Sequence, residues 1–472
     1  MGWRVSALPD RECRVTDPLA GNMAGAQKPE NLSTLRQRIA ERAKQSPQLA
    51  FTSLAHLIDV YWLHEAFART RKDGAVGVDG QTAQEYIGDD LQSKLIDLLN
   101  RAKSGTYRAP PVRRVHIPKG TGAETRPIGI PTIEDKVLQR AVVMVLETVY
   151  EQDFLDCSYG FRPGRSAHQA LAALWQQTMD MGGGWIVEVD IRKFFDMLDH
   201  AHLRELLRQR IRDGVLLRLI GKWLNAGVLD AGTLTYPEQG SPQGGVISPL
   251  LANVYLHYVL DVWFEREVQP RLKGRAFLIR YADDFVMGFA CEEDARRVLD
   301  VLPKRFGKYG LTIHPDKTRL LAFKPNRSNR SDSDTDSEPG TFDFLGFTHL
   351  WGRSRKGNWV VQRRTAASRL RRALTMMAQW CRVHCHRPIP EQHQTLSQKL
   401  RGHFAYYGIT GNCEGLRHFR DAVQRLWRNW LSRRMRGPVL SWIAFTRLLK
   451  RFPLPPAHAI HSVCRPAANS VT

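Results

Sequence analysis

The chain has 472 residues, 43% of them hydrophobic and 25% charged, and its formal net charge at pH 7 is +22. That hydrophobic content excludes a mainly disordered protein, and the length allows about two to four domains with a sizeable core. No apolar run reaches the ~18 residues that cross a bilayer, so we expect a soluble protein that has no membrane partner.

The N-terminal residues 1–34 are predicted to form a flexible extension. They are rich in Gly, Pro and charged residues and contain no continuous apolar segment that would serve as a secretory signal. The seven cysteines are an odd number scattered along the chain, which favours reduced thiols over a disulfide framework. We therefore expect a cytoplasmic protein, whose translation begins at Met1 or Met23.

Helices are predicted over most of the segment from Leu35 to Leu99, with a loop at Gly74–Thr82. A strand is predicted to begin at Val112 and to run into a glycine turn. After it, "TIEDKVLQRAVVMVLETVYE" has the apolar periodicity of a buried helix, with Thr132 and Asp135 at the spacing of a capping box.

Two cations flank the glycine turn in "PKGTGAETRP". Lys119 and Arg126 are placed to hold the triphosphate of an incoming nucleotide, Arg as a planar fork and Lys as a point charge. The alternative is that both are ordinary surface charges of a hairpin. Further along, the glycines of "GSPQGGVISPLLANVYLHYVLD" indicate a backbone that passes close to a base or sugar, and also a tight turn before a buried helix.

Carboxylates stand at the ends of two predicted strands. "WIVEVD" is apolar up to Asp190, after which the chain is predicted to become helical near Phe194, and "IRYADDFVMGF" predicts a hairpin whose turn carries Asp283 and Asp284. A merely polar turn is the alternative. If the strands pair, three carboxylates converge, and they repel one another unless cations neutralise them. A pair of Mg²⁺ ions, or Mn²⁺ in their place, would do so and would suit phosphoryl transfer.

Positive charge is concentrated in residues 351–472, which contain 23 Lys/Arg and 3 Asp/Glu and so carry +20 of the net +22. This segment follows a polar, low-complexity insertion at 326–340, after which the chain is predicted to be helical and basic to its end. Its arginines alternate with aromatic residues, which favours nucleic acid over a membrane surface as the partner. The RNA-binding candidates are Arg401, Tyr406, Tyr407, Arg428, Arg433, Arg434 and Arg436.

Several blocks together resemble one family. "GVDGQT", "RPIGIPTIEDKVLQ", "SYGFRPGRSAHQAL", "VEVDIRKFFDMLDH", "GSPQGGVISPLLANVYL", "RYADDFV", "GLTIHPDKT" and "FDFLGF" occur in this chain in the order and spacing of the reverse transcriptases and maturases encoded by bacterial group II introns. The resemblance covers roughly residues 35–350. The His-Asn-His endonuclease that ends many relatives is missing from this sequence.

The resemblance implies an α+β right-hand polymerase. Its fingers would be residues 35–180, its palm with an antiparallel sheet 181–350, and its helical, basic thumb and maturase region 351–472. It also implies residue roles: metal binding by Asp190, Asp283 and Asp284, catalysis near the leaving pyrophosphate by Lys317, and nucleotide contacts by Lys119, Arg126, Phe195 and Gln243. The ring of Phe195 would exclude a 2′-hydroxyl, and Gln243 would lie beside the nascent base pair.

The function that the resemblance implies is an RNA-directed DNA polymerase with two Mg²⁺ ions. Its partners would be dNTPs, an RNA template with a DNA primer or target DNA, and group II intron RNA, whose splicing and mobility it would assist. One alternative is a free-standing reverse transcriptase in phage defence or DNA repair. Another is a splicing or RNA-binding factor with a vestigial polymerase, against which the intact aspartates argue.

Overall fold

The structure is a computed structural model that describes residues 32–88, 90–118, 125–236, 240, 244–325, 340–434 and 439–461. It divides into two compact units, residues 33–362 and the described residues from Arg363 onward. The N-terminal extension up to residue 31, the insertion at 326–339, and Lys119, Gln243 and Arg436 lie outside the described residues. The finer boundaries between fingers, palm and thumb stay a prediction.

The first unit combines helices with two four-stranded sheets and most of a three-stranded sheet, and is α+β. Its helices are α1 (Leu32–Gln45), α2 (Val60–Arg69), α3 (Ala83–Ile87), α4 (Leu91–Ser104), α5 (Ile133–Tyr150), α6 (Ala167–Met181), α7 (His200–Arg208), α8 (Gly214–Leu224), α9 (Ser248–Leu256) and α10 (Glu292–Gly307). The helix α9 continues through π-helical turns to Val268. The predicted helical N-terminal segment with its loop at Gly74–Thr82 is confirmed.

One sheet has strands β2 (Thr125–Ile130), β1 (Val112–Pro118), β4 (Val228–Asp230) and β5 (Thr233–Thr235), in that order. The strands β1 and β2 are antiparallel, whereas β1 and β4 run parallel. The other sheet has β6 (Ala276–Tyr281), β7 (Asp284–Phe289), β3 (Gly184–Val189) and β8 (Arg319–Phe323), all antiparallel to their neighbours. Its central strand β7 is buried from Phe285 to Phe289, because helices cover it.

The predicted buried helix is α5, whose apolar residues face the core all round. Its N-cap is Thr132, which accepts a hydrogen bond from the backbone N–H of Asp135. The carboxylate of Asp135 is buried and accepts hydrogen bonds from the Tyr107 hydroxyl and from Gln139 Nε2. Of the two hydrogen bonds of a capping box, the structure therefore has the one from Asp135 N to the Thr132 side chain. The Asp135 side chain accepts from Tyr107 and Gln139 in the core and not from the backbone N–H of Thr132.

The helix predicted to begin near Phe194 begins later, at His200, so that prediction is wrong. After β3 the chain forms an isolated bridge between Ile191 and Ile313 and then a series of turns in which Lys193 has a φ of 46°. Asp199 caps the helix by accepting a hydrogen bond from His202 N at 2.8 Å. The bridge and the left-handed turn hold the chain away from helical geometry until this cap.

The prediction that the chain is helical beyond the insertion is also wrong for residues 342–365. These residues form β9 (Phe342–Phe344), β10 (Phe347–Arg353) and β11 (Trp359–Thr365), arranged β11-β10-β9. In β9 and β10 every second side chain is buried, from Phe342 to Trp351. The two-residue periodicity of strands therefore prevails there, although the segment is basic.

The second unit is helical, with α11 (Ala367–His384), α12 (Ile389–Tyr407), α13 (Cys413–Arg434) and α14 (Trp442–Arg451). These helices pack around one hydrophobic core that includes Leu396, Phe404, Trp427 and Phe445. None of the helices in the part of the chain that the structure describes combines the length and hydropathy needed to span a membrane.

Candidate active site and nucleic-acid interface

The predicted hairpin is present and carries both aspartates at its tip. The strands β6 and β7 pair antiparallel, with Tyr281 opposite Asp284, so Ala282 and Asp283 form the turn. Ala282 adopts the left-handed conformation, with a φ of 59°, which is uncommon for a residue with a side chain. Contacts with the surrounding structure must therefore hold this turn in place, so the backbone that carries Asp283 and Asp284 is rigid.

The sheet brings Asp190 to the same edge. Val189 on β3 pairs with Phe285 on β7, and continuing that register places Asp190 beside Asp284. Burial, and to a smaller extent the nearby carboxylate of Asp190, raises the pKa of Asp283, while the guanidinium groups of Arg126 and Arg280 oppose the rise. Asp190 and Arg126 are therefore close enough to Asp283 for their charges to act on its carboxyl group.

The carboxylates suit a divalent metal ion. Asp190 already attracts a cation, since Lys317 Nζ lies 2.9 Å from its Oδ2. Among the described residues no three His, Cys, Asp or Glu side chains form a ready-made metal cage. Mg²⁺ is usually held in proteins by one or two carboxylates together with substrate phosphates and water, so two converging aspartates fit it without such a cage.

A buried arginine supports the turn between β6 and β7. The guanidinium of Arg280 is fully buried and donates to both oxygens of Asp261, at 2.7 and 2.5 Å, to Asn253 Oδ1 at 3.0 Å and to Ser158 Oγ at 2.7 Å. Its Nη1 also donates to the backbone oxygen of Ala282 at 3.0 Å. One side chain thus connects a buried helix, a loop and the turn that carries Asp283.

Sequence reasoning did not identify this network. Its signal is a charged residue inside each of two apolar runs, Arg280 in "AFLIRY" and Asp261 in "LHYVLDVWF". Oppositely charged residues in two buried segments are rarely tolerated unless they pair. Gly160 completes the support, because a Cβ there would lie 2.3 Å from Ala282 N.

Phe195 lies in the turns between β3 and α7, five positions after Asp190. Its ring is half-buried and packs edge-on against the buried ring of Phe194, with centroids 5.3 Å apart. Gly240, with a φ of 89°, passes behind it, and a Cβ at Gly240 would lie 2.8 Å from the Phe195 carbonyl oxygen. The role of Phe195 beside the nucleotide sugar stays a prediction.

The glycines of "GSPQGG" make close approaches to protein backbone. A Cβ at Gly244, whose φ is 120°, would lie 2.4 Å from the carbonyl oxygen of Gly129 on β2. Gly240 and Gly244 are thus both required by close packing within the protein, as the predicted tight turn implies, and the approach to a base or sugar stays a prediction. Gly244 therefore lies directly against β2, the strand that also contains Arg126.

The RNA-binding candidates of the second unit fall into two groups. Arg401 and Arg433 are exposed, and Arg433 lies over the Trp430 ring at 4.6 Å. By contrast, Arg428 donates to Leu440 O at 2.9 Å and lies over the Trp442 ring at 4.4 Å. Arg434 is exposed like Arg433, but it also donates to Arg387 O at 3.1 Å. Arg428 and Arg434 thus brace the helices.

The two tyrosine candidates lie at the end of α12 and are half-buried, with their rings 4.9 Å apart. Tyr407 packs against the hydrophobic core of the second unit, and burial raises its pKa. Its surroundings are those of a core residue, whereas Tyr406 is at the edge of that core. Base stacking by either ring stays a prediction.

Comparisons with known proteins give consistent matches. Residues 117–349 match the family model of reverse transcriptase (RNA-dependent DNA polymerase). Protein YkfC of Escherichia coli is 33% identical over 373 residues, which cover 70% of this chain and 91% of YkfC. The group II intron-encoded protein LtrA of Lactococcus lactis is 36% identical over 247 residues, 50% of this chain and 40% of LtrA. Nuclear intron maturase 4, mitochondrial, of Arabidopsis thaliana is 25% identical over 198 residues, which are 23% of its length.

Proposed function

Because the chain belongs to the family of reverse transcriptases and maturases related to group II intron-encoded proteins, we propose that it copies RNA into DNA with two divalent metal ions at Asp190, Asp283 and Asp284. The observation that carries this proposal is the shared edge of β3 and β7, where the carboxylates converge. The chain spans most of YkfC but less than half of LtrA, so its substrates and partners are proposals as well.

Each charged group has a distinct part in this reaction. Divalent ions held by the carboxylates would neutralise charge on the attacking and leaving oxygens. Arg126, which already acts electrostatically on Asp283, would contact the triphosphate of the incoming dNTP. Lys317 would exchange its ion pair with Asp190 for the leaving pyrophosphate, where an ammonium group stabilises negative charge or donates a proton.

The direct test is primer extension on an RNA template annealed to a DNA primer. We expect dNTP incorporation that EDTA abolishes and that added Mg²⁺ or Mn²⁺ restores. A purified protein that binds this template–primer but extends it with neither metal would contradict the polymerase proposal and favour the alternative of a splicing factor with a vestigial polymerase.

Phe195→Val is expected to relax the choice between dNTPs and rNTPs. A smaller side chain opens space beside the sugar, and the loss of a shape restriction of this size changes discrimination by about tenfold or more. The measurement is the ratio of kcat/KM for a dNTP to that for the matching rNTP in both proteins. An unchanged ratio together with a lower Tm would mean that Phe195 only packs against Phe194.

For the second unit we propose binding to structured intron RNA in support of splicing and intron mobility. The supporting observation is the exposed arginine series along α13, formed by Arg417, Arg425 and Arg433. Residues 351–472 contain 23 Lys/Arg and 3 Asp/Glu, so this helix stays strongly basic although Glu414 and Asp421 lie on it. Arg417 and Arg425 donate to carbonyl oxygens of their own helix turn, so their charged groups stay on the surface. Relation to an intron maturase supports the same partner.

Changing Arg417, Arg425 and Arg433 together to Ala is expected to weaken RNA binding. Loss of three phosphate contacts lowers the slope of log K against log salt by about 2 to 3. The measurement is a salt titration of the affinity for structured group II intron RNA, together with a splicing assay. Primer extension on a short template–primer at saturating concentration is expected to fall much less.

Two matched variants separate charge from folding. Replacement of the same three residues by Lys keeps the charges, so the salt slope is expected to be retained. Arg428→Ala removes a brace, and we expect a loss of about 1–2 kcal/mol in the free energy of unfolding with little change in the slope. If the Ala triple variant kept wild-type affinity and slope, this surface would not be the RNA-binding surface.

A further inference from the structure

A cavity of about 450 Å³ lies between α7 and α8, and cations line it. Arg204 and Arg208 reach it from α7, and Arg218 and Lys222 reach it from α8. We call it the basic cavity. The described residues that we assign to metal or nucleotide binding, Asp190, Asp283, Asp284, Lys317, Arg126 and Phe195, do not line it.

Among the residues that the structure describes, no Asp or Glu forms an ion pair with any of these four cations. Arg204 and Arg208 are four residues apart on one helix, as are Arg218 and Lys222 on the next, and like charges at this spacing destabilise a helix. The first 350 residues carry a net charge of only +2, so a group of four neighbouring cations is a local excess of positive charge in this part of the chain.

The cations of α8 are held in place by backbone groups. Arg218 Nη2 donates to Lys103 O at 3.2 Å, and its guanidinium lies over Gly105. Lys222 Nζ donates to Gly105 O at 2.7 Å and also to Tyr107 O. Carbonyl oxygens orient these groups without neutralising their charge. They are therefore positioned for a ligand that supplies the negative charge.

The helix α7 contributes two exposed arginines, Arg204 and Arg208, to the wall of the cavity. Gly221 lines the cavity as well, and a Cβ there would lie 3.9 Å from Arg204 Nη2, so this guanidinium extends across the cavity towards α8. Guanidinium groups match the geometry of phosphate oxygens through paired N–H donors. Two helices, each with cations one turn apart, present two rows of positive charge, which suits several phosphates along a strand better than one small anion.

We propose that the basic cavity binds phosphate groups of a nucleic-acid backbone and gives the first unit an anchoring site of its own, separate from the candidate active site. The ligand chemistry is the phosphodiester group, contacted without reading sequence. The proposal does not depend on the metal assignment, since it concerns binding and uses other residues.

The test is a salt titration of the affinity for an RNA template with a long single-stranded overhang, annealed to a DNA primer. For Arg204→Ala/Arg208→Ala we expect weaker binding and a slope of log K against log salt that is smaller by about 1.4 to 1.8, since two phosphate contacts are lost. Ala is the best helix former and the substitution removes a like-charge repulsion, so α7 should persist, and a Tm equal to or above that of the unchanged protein verifies this. The kcat of primer extension at saturating template–primer should be unchanged.

Two control variants make the result specific. Arg204→Lys/Arg208→Lys keeps the charges and should keep the slope. Arg296→Ala/Arg297→Ala removes two exposed arginines of α10 that lie near Glu292 and Asp294, at 2.5 and 3.9 Å, and it should also leave the slope unchanged because their charge is already compensated.

A wild-type slope for Arg204→Ala/Arg208→Ala would overturn the proposal. A second arm uses inorganic phosphate alone and measures its effect on Tm. Phosphate could raise the Tm of the wild-type protein but not that of this variant, while the RNA salt slope of the variant stays at the wild-type value. This combination would also overturn the proposal and would assign the cavity to a small anion. If wild-type protein lacked polymerase activity, the proposed function would fail, while the comparison of salt slopes would still stand.

Discussion

Asp283→Asn is expected to lower the rate of primer extension by about 10³-fold or more, a larger effect than we expect from either Phe195→Val or the loss of surface arginines. Metal-ion stabilisation of the transferring phosphoryl group contributes several kcal/mol, and each ~1.4 kcal/mol is a factor of ten in rate. The amide of Asn carries no charge and is a poor ligand for a hard divalent cation. The measurement is single-turnover primer extension over a range of Mg²⁺ concentrations.

The fold is expected to survive this substitution. Burial and the neighbouring Asp190 both raise the pKa of Asp283, so the folded protein disfavours its charged form, and a neutral side chain removes that cost. We therefore expect a Tm equal to or above that of the unchanged protein. Asp300→Asn, the same change at an exposed position of α10, is the matched control and should leave the rate unaltered.

The result that would contradict the metal assignment is near wild-type extension by the Asp283→Asn protein. If the rate fell while a high Mg²⁺ or Mn²⁺ concentration restored most of it, the metal-binding role would be supported directly. A mere loss of folding would be visible as a lower Tm, which the expected outcome excludes.

The buried pair Arg280 and Asp261 is expected to control the rate through the position of the catalytic turn. Arg280→Met alone leaves the Asp261 carboxylate buried without a partner, which costs about 3–5 kcal/mol and would obscure any effect on catalysis. The informative variant is Arg280→Met/Asp261→Leu, because it removes both buried charges together. Asn253 and Ser158 lose their hydrogen bonds to the guanidinium in this variant, so we expect a lower Tm, and kcat is measured at a temperature at which the variant is folded.

In this double variant the carbonyl oxygen of Ala282 loses its hydrogen bond to the guanidinium. A hydrogen bond to a charged group contributes about 1.5–3 kcal/mol, so we expect kcat to fall by roughly 10- to 100-fold as Asp283 becomes less well placed. A positioning role predicts a lower kcat and a higher Mg²⁺ requirement, with little change in the KM for dNTP. Equal kcat in the folded double variant would show that Arg280 only stabilises the core.

A second buried pair provides the control. Arg210 donates to Asp153 Oδ2 at 2.7 Å, and both side chains are largely buried. Arg210 also holds the carbonyl oxygens of Ala43, Ser46 and Leu49, which belong to the N-terminal helical region and not to the catalytic turn. Arg210→Met/Asp153→Leu should therefore change Tm, while kcat at a permissive temperature stays close to its original value.

The amino-acid sequence by itself determined the local structure that carries the aspartates. Apolar residues on both sides of Asp283 and Asp284 predict paired strands, and a strand that is apolar up to Asp190 predicts a carboxylate at a sheet edge. The structure has this hairpin and this pairing. Such features are local, because a strand is specified by the residues within it and a hairpin by the turn that joins its strands.

The sequence predicted secondary structure less well where composition and residue periodicity indicated different elements. The basic composition after residue 340 suggested helices, although the alternation of buried residues in "FDFLGFTHLW" follows a strand. Near Phe194 the helical pattern was real but began at the cap, Asp199. Charge says little about backbone conformation, since Lys and Arg side chains reach solvent from strands and helices alike.

Only the tertiary structure decided which charged residues are buried, braced or free to bind. Arg280 finds its partners on segments that contain Ser158, Asn253 and Asp261, and Arg428 is committed to Leu440 and Trp442, whereas Arg204 and Arg208 are left facing a cavity. The physical reason is that desolvation and pairing depend on which elements pack together. Residues far apart in the chain supply those partners, and no local pattern in the sequence records them.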